Sequence, residues 1–213
     1  MKLFARSGFS APAAPLRLHV GCGQEAIHGW VNIDNKQLPG VDRVLDVTEG
    51  LPFENASTIY AEHFLEHLSL DHGLAFLAEC RRALSDDGIL RLSTPNLDWV
   101  YLTHYRVSSW KDDGESLVDC LQLNRAFHGW GHQFLYNRVM LSGALRAAGF
   151  ERVVFQRYGQ SDVDELKGLE RHETWEDTPE LPHVLIAEAS GRRQPAPLPE
   201  KLLTEFREAI GTR

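Results

Sequence analysis

A short strand pattern leads directly into a glycine turn in the stretch Leu16-Arg17-Leu18-His19-Val20-Gly21-Cys22-Gly23. Aliphatic residues alternate with polar ones from residue 16 to residue 20, which is the period of a β-strand. Gly21 and Gly23 carry no β-carbon, so the backbone can turn sharply there and approach a ligand closely. A single Gly-x-Gly is weak evidence alone, because it often marks only a tight turn.

Strand-like and helix-like segments alternate after this stretch, which is typical of a parallel sheet covered by helices. Further strands are predicted at residues 30–34, 43–47, 58–61, 88–94, 151–158 and 182–189. Ser69 is placed to cap a helix over residues 71–84, with residues 86–88 as its exit turn. Asn137 is placed to cap a second helix that runs through residue 148. The pattern predicts the α/β class.

Composition shifts divide the chain into three parts. Residues 1–15 are predicted to be an arm, residues 16–190 a single domain, and residues 191–213 a linker with a short amphipathic helix at 200–210. Within the domain, residues 96–136 are rich in aromatic side chains but only weakly periodic. A segment of this length is usually a functional cover or disordered, and the aromatics argue against disorder. Two interpretations stay open: an insertion that only packs on the sheet, or a lid over a substrate.

Bulk properties exclude several classes of protein. The 213 residues are 43% apolar and 24% charged, which is ordinary for a soluble globular domain. No apolar run has the length of a membrane span and the start lacks a signal peptide, so we expect a cytoplasmic protein that does not bind membranes. The net charge of −8 disfavours nucleic acid as a partner. We therefore expect a small-molecule partner. The three cysteines are widely spaced, which indicates reduced thiols.

Two aspartates follow the second and third predicted strands. Ligands of open parallel sheets bind beyond the carboxyl ends of the strands, where these side chains would lie. Asp34 is placed to accept hydrogen bonds from a ribose diol, and Asp46 from an exocyclic amine such as that of adenine. Either aspartate alone is more typical of a turn or a cap. Together with the glycine turn, in this order, they favour a nucleoside ligand.

The order of these motifs resembles the cofactor half of class I S-adenosylmethionine-dependent methyltransferases. The resemblance rests first on residues 18–23, 29–34 and 46–53. Later stretches are similar to landmarks of the methyltransferase type 11-like group, and most of all to its predicted members without an assigned substrate: 62–68, 79–84, 88–92 and 147–150. The resemblance covers roughly residues 16 to 190.

The resemblance implies a Rossmann-like three-layer sandwich with a seven-stranded, mostly parallel sheet whose last strand is antiparallel. It also implies S-adenosyl-L-methionine as the cofactor and S-adenosyl-L-homocysteine as the product. The backbone of the turn at 21–23 would contact the methionine part of the cofactor, and Asp34 would hold its ribose. Residues 46–47 would contact the adenine, and residues 61–63 would border the sulfonium. The implied cofactor set is Gly21, Cys22, Gly23, Asp34, Asp46, Val47, Ala61, Glu62 and His63.

The chain departs from the family pattern in its first loop. Glu25 stands where the family has a third glycine, and only 13 positions separate Gly21 from Asp34. A dinucleotide-binding unit needs about 20 residues for its intervening helix, so we predict that the first helix is shortened or absent. The pyrophosphate of NAD or FAD binds at the N-terminus of that helix. The departure therefore disfavours a nicotinamide oxidoreductase.

Histidines suggest further chemistry. His63, Glu66 and His67 spell the HxxEH zinc motif, with both histidines on one helix face if the segment is helical. No third ligand can be named from the sequence, and the segment is already part of the methyltransferase resemblance, so we predict no metal. His63 is instead a candidate catalytic base, because histidine titrates near neutral pH, or a simple cofactor contact.

Three polar residues end the aromatic segment: His128, His132 and Gln133. They are candidates for contacting the acceptor, and the alternative is that they only tie the loop to the core. The predicted function is methyl transfer from S-adenosylmethionine to a small-molecule acceptor that the sequence does not identify. The alternative function is a non-catalytic module that binds S-adenosylmethionine on the same fold.

Overall fold

The structure is a computed structural model that describes residues 14–104, 113–172, 178 and 180–211. Except for its last two residues, the predicted N-terminal arm lies outside the described residues. Among the helices that are described, none combines the length and the apolar character needed to cross a membrane.

Seven strands form one sheet in the order β3-β2-β1-β4-β5-β7-β6. β7 runs antiparallel to β5 and β6, and the other pairs are parallel. This arrangement confirms the predicted α/β fold and its antiparallel last strand. The strands are β1 Arg17–Val20, β2 Val31–Asp34, β3 Arg43–Val44, β4 Ala56–Glu62, β5 Leu84–Pro95, β6 Arg152–Gln156 and β7 Val184–Ser190.

Five α-helices are described: α1 Leu70–Ala83, α2 Leu97–His104, α3 Asp113–His128, α4 Arg138–Ala147 and α5 Glu200–Gly211. Both predicted caps are confirmed. The Ser69 side chain accepts a hydrogen bond from the amide of His72 at 3.3 Å, and that of Asn137 accepts one from the amide of Met140 at 2.9 Å. Each cap satisfies a backbone donor that the first helical turn leaves unpaired.

One face of the sheet carries the hydrophobic core. Alternate residues of β1 and β4, such as Leu18 and Ile59, are fully buried there together with Phe76 of α1 and Leu141 of α4. Burial of such side chains contributes most of the stability of a domain of this size, at about 25 cal/mol per Å² of apolar surface. The core therefore fixes β4, and with it the residues that follow β4.

The opposite face is covered without an α-helix in the described residues. Turns connect β1 to β2 at residues 21–30 and β2 to β3 at residues 35–42. The first helix, which the sequence predicted to be shortened or absent, is absent. Residues 157–172, which include a 3₁₀ turn at Asp164–Leu166, cover this face instead. Leu166 packs there with Trp30 and Tyr60. The third layer implied by the resemblance is thus built from turns.

Polar contacts hold this covering segment in place. Arg91 of β5 is fully buried and forms ion pairs with Glu170 at 2.7 Å and with Glu188 at 2.5 Å. Ser161 also donates a hydrogen bond to Glu188, at 2.6 Å. Buried charges are tolerated only when they are paired in this way. The segment is therefore joined to the sheet through Glu170 and Ser161 as well as through the packing of Leu166.

β5 begins at Leu84, directly after α1, which differs from the predicted exit turn at residues 86–88. The pairing with β4 shifts between Ala56–Leu84 and Thr58–Ile89, so these residues form an irregularity inside the strand. Gly88 suits this close approach, because a Cβ there would lie 2.7 Å from the carbonyl oxygen of Ala56. β3 is also shorter than predicted and ends at Val44.

The aromatic segment at 96–136 forms α2 and α3 with a 3₁₀ turn at Gly129–Gly131, and residues 105–112 lie outside the described residues. α3 buries none of its side chains. The C-terminal helix α5, predicted at 200–210, packs on the domain: the rings of Phe206 and Phe134 lie 5.7 Å apart, and Arg207 pairs with Asp71 of α1 at 2.7 Å.

Candidate functional site

A cleft of about 580 Å³ opens at the carboxyl ends of β1 and β2 and beside the turn after β3. Parallel sheets bind ligands at this edge. Six of the residues predicted to bind the cofactor or the acceptor line the cleft: Gly21, Asp34, Asp46, Val47, His63 and Gln133. The residues predicted from the sequence thus meet at one cavity from five different parts of the chain.

Gly21 lets β1 end against an aromatic ring. Its φ angle is +67°, and an added Cβ would lie only 2.4 Å from Cδ2 of Phe64. Gly23 also has a positive φ, of +52°, but a Cβ there would meet nothing within 4 Å. The first glycine is therefore required by packing as well as by backbone conformation, and the second by conformation alone.

Backbone amides orient the carboxylate of Asp34 at the tip of β2. Oδ2 accepts a hydrogen bond from the amide of Gly23 at 3.0 Å, and Oδ1 accepts one from the amide of Lys36 at 3.0 Å. A carboxylate has about four acceptor positions, so each oxygen keeps capacity for a ligand hydroxyl. Asp34 is half-buried and lines the cleft, which suits the proposed contact with a ribose.

Asp46 acts both as a cap and as part of the cleft wall. Its Oδ1 accepts hydrogen bonds from the Thr48 hydroxyl at 2.7 Å and from the Thr48 amide at 2.9 Å. These two bonds lower the pKa of Asp46 below its ordinary value. The carboxylate is therefore charged and held in place beside Val47, whose side chain is buried. The two interpretations of Asp46, as cap and as ligand contact, are compatible.

The remaining predicted cofactor residues do not line the cleft: Cys22, Gly23, Ala61 and Glu62. The carboxylate of Glu62 is directed to the covering segment. It accepts hydrogen bonds from Nδ1 of His172 at 2.6 Å, from the amides of residues 171 and 172, and from the Tyr60 hydroxyl. Burial alone would raise the pKa of Glu62, but the bonds from His172 and the two amides outweigh it and lower the pKa to about 2.

His63 follows β4 in an unusual conformation. Its φ angle is +46°, a region that residues other than glycine seldom adopt outside functional sites. Nδ1 of His63 lies 2.9 Å from Oε1 of Glu66, whose side chain is fully buried. Burial lowers the pKa of His63, but the hydrogen bond and the charge of Glu66 outweigh it, so the net pKa is raised.

A second cavity of about 350 Å³ lies between α2, α3 and the ends of β5 and β7. Its walls include Trp99 of α2, Arg125 of α3 and His183 just before β7. His63 and Trp130 line both this cavity and the cleft. The two spaces therefore meet at these two side chains.

Trp130 stands at the junction with most of its surface exposed. Its φ angle is +57°, and 65% of the residue is accessible to solvent. The guanidinium of Arg125 lies 4.5 Å from the centroid of its ring, which is a favourable cation–π distance. Trp130 is thus an exposed aromatic ring in a positive-φ turn that borders both cavities.

The three predicted acceptor residues have different locations. His132 lines the second cavity, whereas Gln133 lines the cleft and donates a backbone hydrogen bond to the carbonyl oxygen of Glu66 at 2.7 Å. His128 is exposed at the end of α3 and lines neither cavity. Sequence reasoning missed His183, because a lone histidine before a strand carries no pattern.

The HxxEH motif is not arranged as the sequence suggested. Residues 65–67 form a 3₁₀ turn, and His63 precedes it with a positive φ, so the two histidines do not share a helix face. The ring of His67 instead faces that of His132, with centroids 5.2 Å apart. Glu66, His67 and His132 each offer a ligand atom within 4.8 Å of the others. The third candidate ligand that the sequence could not name is thus His132.

Comparisons with known proteins identify the fold. No family model matches the chain, and no curated protein matches it. A SAM-dependent methyltransferase from Archaeoglobus fulgidus superimposes with a TM-score of 0.53 at 17% identity, over 83% of this chain and 86% of that one. A possible histamine N-methyltransferase from Thermotoga maritima gives 0.53 at 13% identity, over 83% and 82%.

A third solved structure, described as a possible exported protein from Bordetella parapertussis, gives a TM-score of 0.54 at 14% identity, over 84% of this chain and 63% of that chain. At these identities the likeness concerns the fold. The chain has the Rossmann-like fold of class I methyltransferases, with the same mixed seven-stranded sheet.

Proposed function

We propose that the protein is an S-adenosylmethionine-dependent methyltransferase that acts on a small molecule. The observation that carries this proposal is the meeting of two cavities at His63 and Trp130. One cavity, at the strand edge, has the size and the carboxylates for a nucleoside cofactor. The other has the size of a small-molecule pocket, for which a few hundred Å³ is typical. A transferase needs this pair of adjoining sites.

The cofactor occupies the cleft in this proposal. Asp34 binds the ribose hydroxyls, Asp46 and Val47 contact the adenine, and the methionine part passes the backbone at Gly21. The absence of a helix in residues 21–30 supports this choice, because no helix N-terminus is available there for a pyrophosphate. S-adenosylmethionine carries no phosphate and needs no such site.

Alignment is the main task of the protein in this reaction. The methyl group is already activated by the positively charged sulfur, so the acceptor must be held in line with the carbon–sulfur bond and kept from water. His63 and Trp130 stand where the two ligands would meet. His63 would contact the acceptor, and the ring of Trp130 would face the sulfonium, an arrangement that cation–π attraction favours.

The second cavity favours a flat acceptor. Trp99, Trp130 and His183 supply ring surfaces, and Pro95 and Val184 supply apolar ones. Ring surfaces of this kind stack on planar molecules. Arg125 on α3 adds a positive charge at one side. These features support a small aromatic or sugar-like acceptor as opposed to a polymer.

Transfer of labelled methyl groups tests the proposal. The protein would be incubated with S-adenosylmethionine carrying a labelled methyl group and with a fractionated small-molecule extract. We expect label in one acceptor fraction with the wild type, and a strong reduction in labelling with Trp130→Ala. The exposed Val139→Ala on α4 serves as the control variant. Micromolar cofactor binding without any transfer would contradict the proposal and favour the non-catalytic module.

A further inference from the structure

We propose that Glu66, His67 and His132 form a binding site for a divalent transition-metal ion in the wall between the two cavities. One ligand atom from each residue lies within 4.8 Å of the other two. Zinc binds nitrogen and oxygen ligands at about 2.0–2.2 Å in a tetrahedral arrangement, so donors around one ion stand about 3.3–3.6 Å apart. Side-chain movements of about 1 Å or less, which a change of side-chain torsion can supply, would close the cluster. Two imidazoles and one carboxylate form a donor set that suits Zn²⁺, Fe²⁺ or Co²⁺.

Hydrogen bonds already orient the ligands. Nδ1 of His132 lies 2.8 Å from the carbonyl oxygen of Ala126. Since a carbonyl only accepts, Nδ1 carries the proton and Nε2 keeps its lone pair for a metal. Metal-binding histidines almost always donate their second ring nitrogen in this way. The carboxylate of Glu66 is held by the Thr94 hydroxyl at 3.0 Å and by His63 at 2.9 Å.

The two segments that supply the ligands are also joined through their backbones. The amides of Gln133 and Phe134 donate to the carbonyl oxygen of Glu66 at 2.7 and 3.2 Å. The side chain of Gln133 donates to the carbonyl oxygen of His67. These bonds place His132 beside His67, although 65 positions separate them in the sequence. The ligand geometry is therefore set by the fold and does not depend on side-chain torsions alone.

Burial of Glu66 adds to the argument. Glu66 is fully buried. Within the part of the chain that the structure describes, its carboxylate pairs with His63 at 2.9 Å and accepts a hydrogen bond from the Thr94 hydroxyl at 3.0 Å. A buried carboxylate is stabilised by positive charge beside it. His63 supplies such charge only when it is protonated, whereas a divalent ion between Glu66 and the two imidazoles would supply it permanently.

The location of the cluster indicates the class of acceptor. His67 lines the cleft and His132 lines the second cavity, so a metal ion would be accessible to an acceptor bound in that cavity. Three protein ligands leave coordination positions for oxygen atoms of the acceptor. We infer, on the basis of the proposed function, an acceptor with a hydroxyl group, and best with two neighbouring oxygens that chelate the ion.

Such coordination would favour transfer to oxygen. A metal-bound hydroxyl loses its proton to solvent near neutral pH, because the cation lowers its pKa. The oxygen then forms a bond to the methyl carbon while the carbon–sulfur bond breaks and its electron pair stays on sulfur. The products are a methyl ether, S-adenosylhomocysteine and the released proton, so that no oxidant or reductant is needed.

Titration with Zn²⁺ and Co²⁺ tests the site without cofactor or acceptor. The protein, free of any purification tag, would be treated with a chelator, desalted and titrated by calorimetry with Zn²⁺ and by visible absorption with Co²⁺. We expect one equivalent of Zn²⁺ at micromolar or tighter affinity. His67→Ala and His132→Ala should each weaken binding at least about tenfold, since each removes a ligand.

His128→Ala is the matched control, because His128 is an exposed histidine of the same segment outside the cluster. It should bind Zn²⁺ as the wild type does, and circular dichroism would verify that each variant is folded. Absence of binding, or equal binding by the two ligand variants, would overturn the proposal and indicate at most adventitious surface histidines. Cofactor affinity of the metal-free protein, measured separately, tests the proposed function independently of this site.

Discussion

The lack of a β-carbon at Gly21 leaves room for the ring of Phe64. Gly21 and Gly23 both have positive φ angles, but only a Cβ at Gly21 would collide with Phe64. Gly23→Ala should cost about 1 kcal/mol through the left-handed backbone alone. Gly21→Ala should cost a further 1–3 kcal/mol or so, because the ring of Phe64 must be displaced. Urea unfolding of both variants measures the difference between their free energies of unfolding. Equal values would show that the ring of Phe64 moves aside at no cost in stability.

Asp34 should determine cofactor affinity. Its carboxylate is oriented by the amides of Gly23 and Lys36 and keeps acceptor capacity toward the cleft. Asp34→Ala should therefore weaken S-adenosylhomocysteine binding by at least about 1 kcal/mol, the loss expected for a hydrogen bond to a charged group. Glu49 is an exposed carboxylate that does not line the cleft, so Glu49→Ala should bind S-adenosylhomocysteine as the wild type does. Unchanged affinity of the Asp34 variant would show that the ribose contact is wrongly assigned.

Glu62 should make stability depend on pH. Its pKa is about 2 in the folded protein and about 4.3 in an unfolded chain. A carboxylate with a lowered pKa stabilises the fold above its unfolded pKa, and this contribution is lost as the pH falls through its folded pKa. Glu62→Gln should thus be less stable than wild type by roughly 3 kcal/mol at pH 6, because a tenfold change in an acid dissociation constant corresponds to about 1.4 kcal/mol.

This difference should shrink between about pH 4.3 and pH 2, where the wild-type carboxyl group becomes protonated. Denaturant unfolding at a series of pH values measures it, with the exposed Glu49→Gln as the control. A stability difference that stays constant down to pH 2 would show that the hydrogen bonds to His172 do not act through the charge of Glu62.

On the scale of single elements, α3 packs only loosely on the rest of the described fold. None of its side chains is buried, and Leu117, Val118 and Leu121 are exposed. Elements with few buried contacts unfold locally at the lowest cost in free energy, and the lids of binding sites are usually elements of this kind. Since Arg125 of α3 lines the second cavity, we expect the amides of α3 to gain protection from hydrogen exchange when S-adenosylhomocysteine and an acceptor bind. The amides of α1 should not change, and unchanged exchange in α3 would favour the packing interpretation.

Local patterns predicted those elements whose determinants lie close together in sequence. The caps Ser69 and Asn137 and the glycine turn after β1 act within three or four residues, so the sequence alone located them. β3 was predicted too long, because its pattern continues into residues that form the turn capped by Asp46. The prediction of an exit turn at residues 86–88 was wrong, because pairing with β4 extends β5 back to Leu84.

Contacts between distant segments were beyond prediction. The resemblance implied a cofactor contact for Glu62, and three of the hydrogen bonds to its carboxylate come from residues 171 and 172, more than a hundred positions away. His132 was named as an acceptor residue, but its place beside Glu66 and His67 depends on backbone pairing between two segments. Neither arrangement has a periodicity or a fixed spacing by which sequence reasoning could find it.

For the whole molecule, the two faces of the sheet have different roles. α1 and α4 bury the apolar core on one face, whereas the other face holds a buried ionic network around Arg91 under a segment of turns. This second face lacks helices after β1 and β2 in the described residues, and with them the N-termini that bind dinucleotide phosphates. We therefore expect the architecture as a whole to favour a cofactor without phosphate groups, in line with the proposed function.

Calorimetric titration of the wild-type protein with S-adenosylmethionine, S-adenosylhomocysteine and NAD tests this central claim most directly. We expect both sulfur compounds to bind with micromolar affinity at one site per chain, and NAD not to bind. Binding of NAD, or absence of binding by both sulfur compounds, would contradict the assignment of the cleft as an S-adenosylmethionine site.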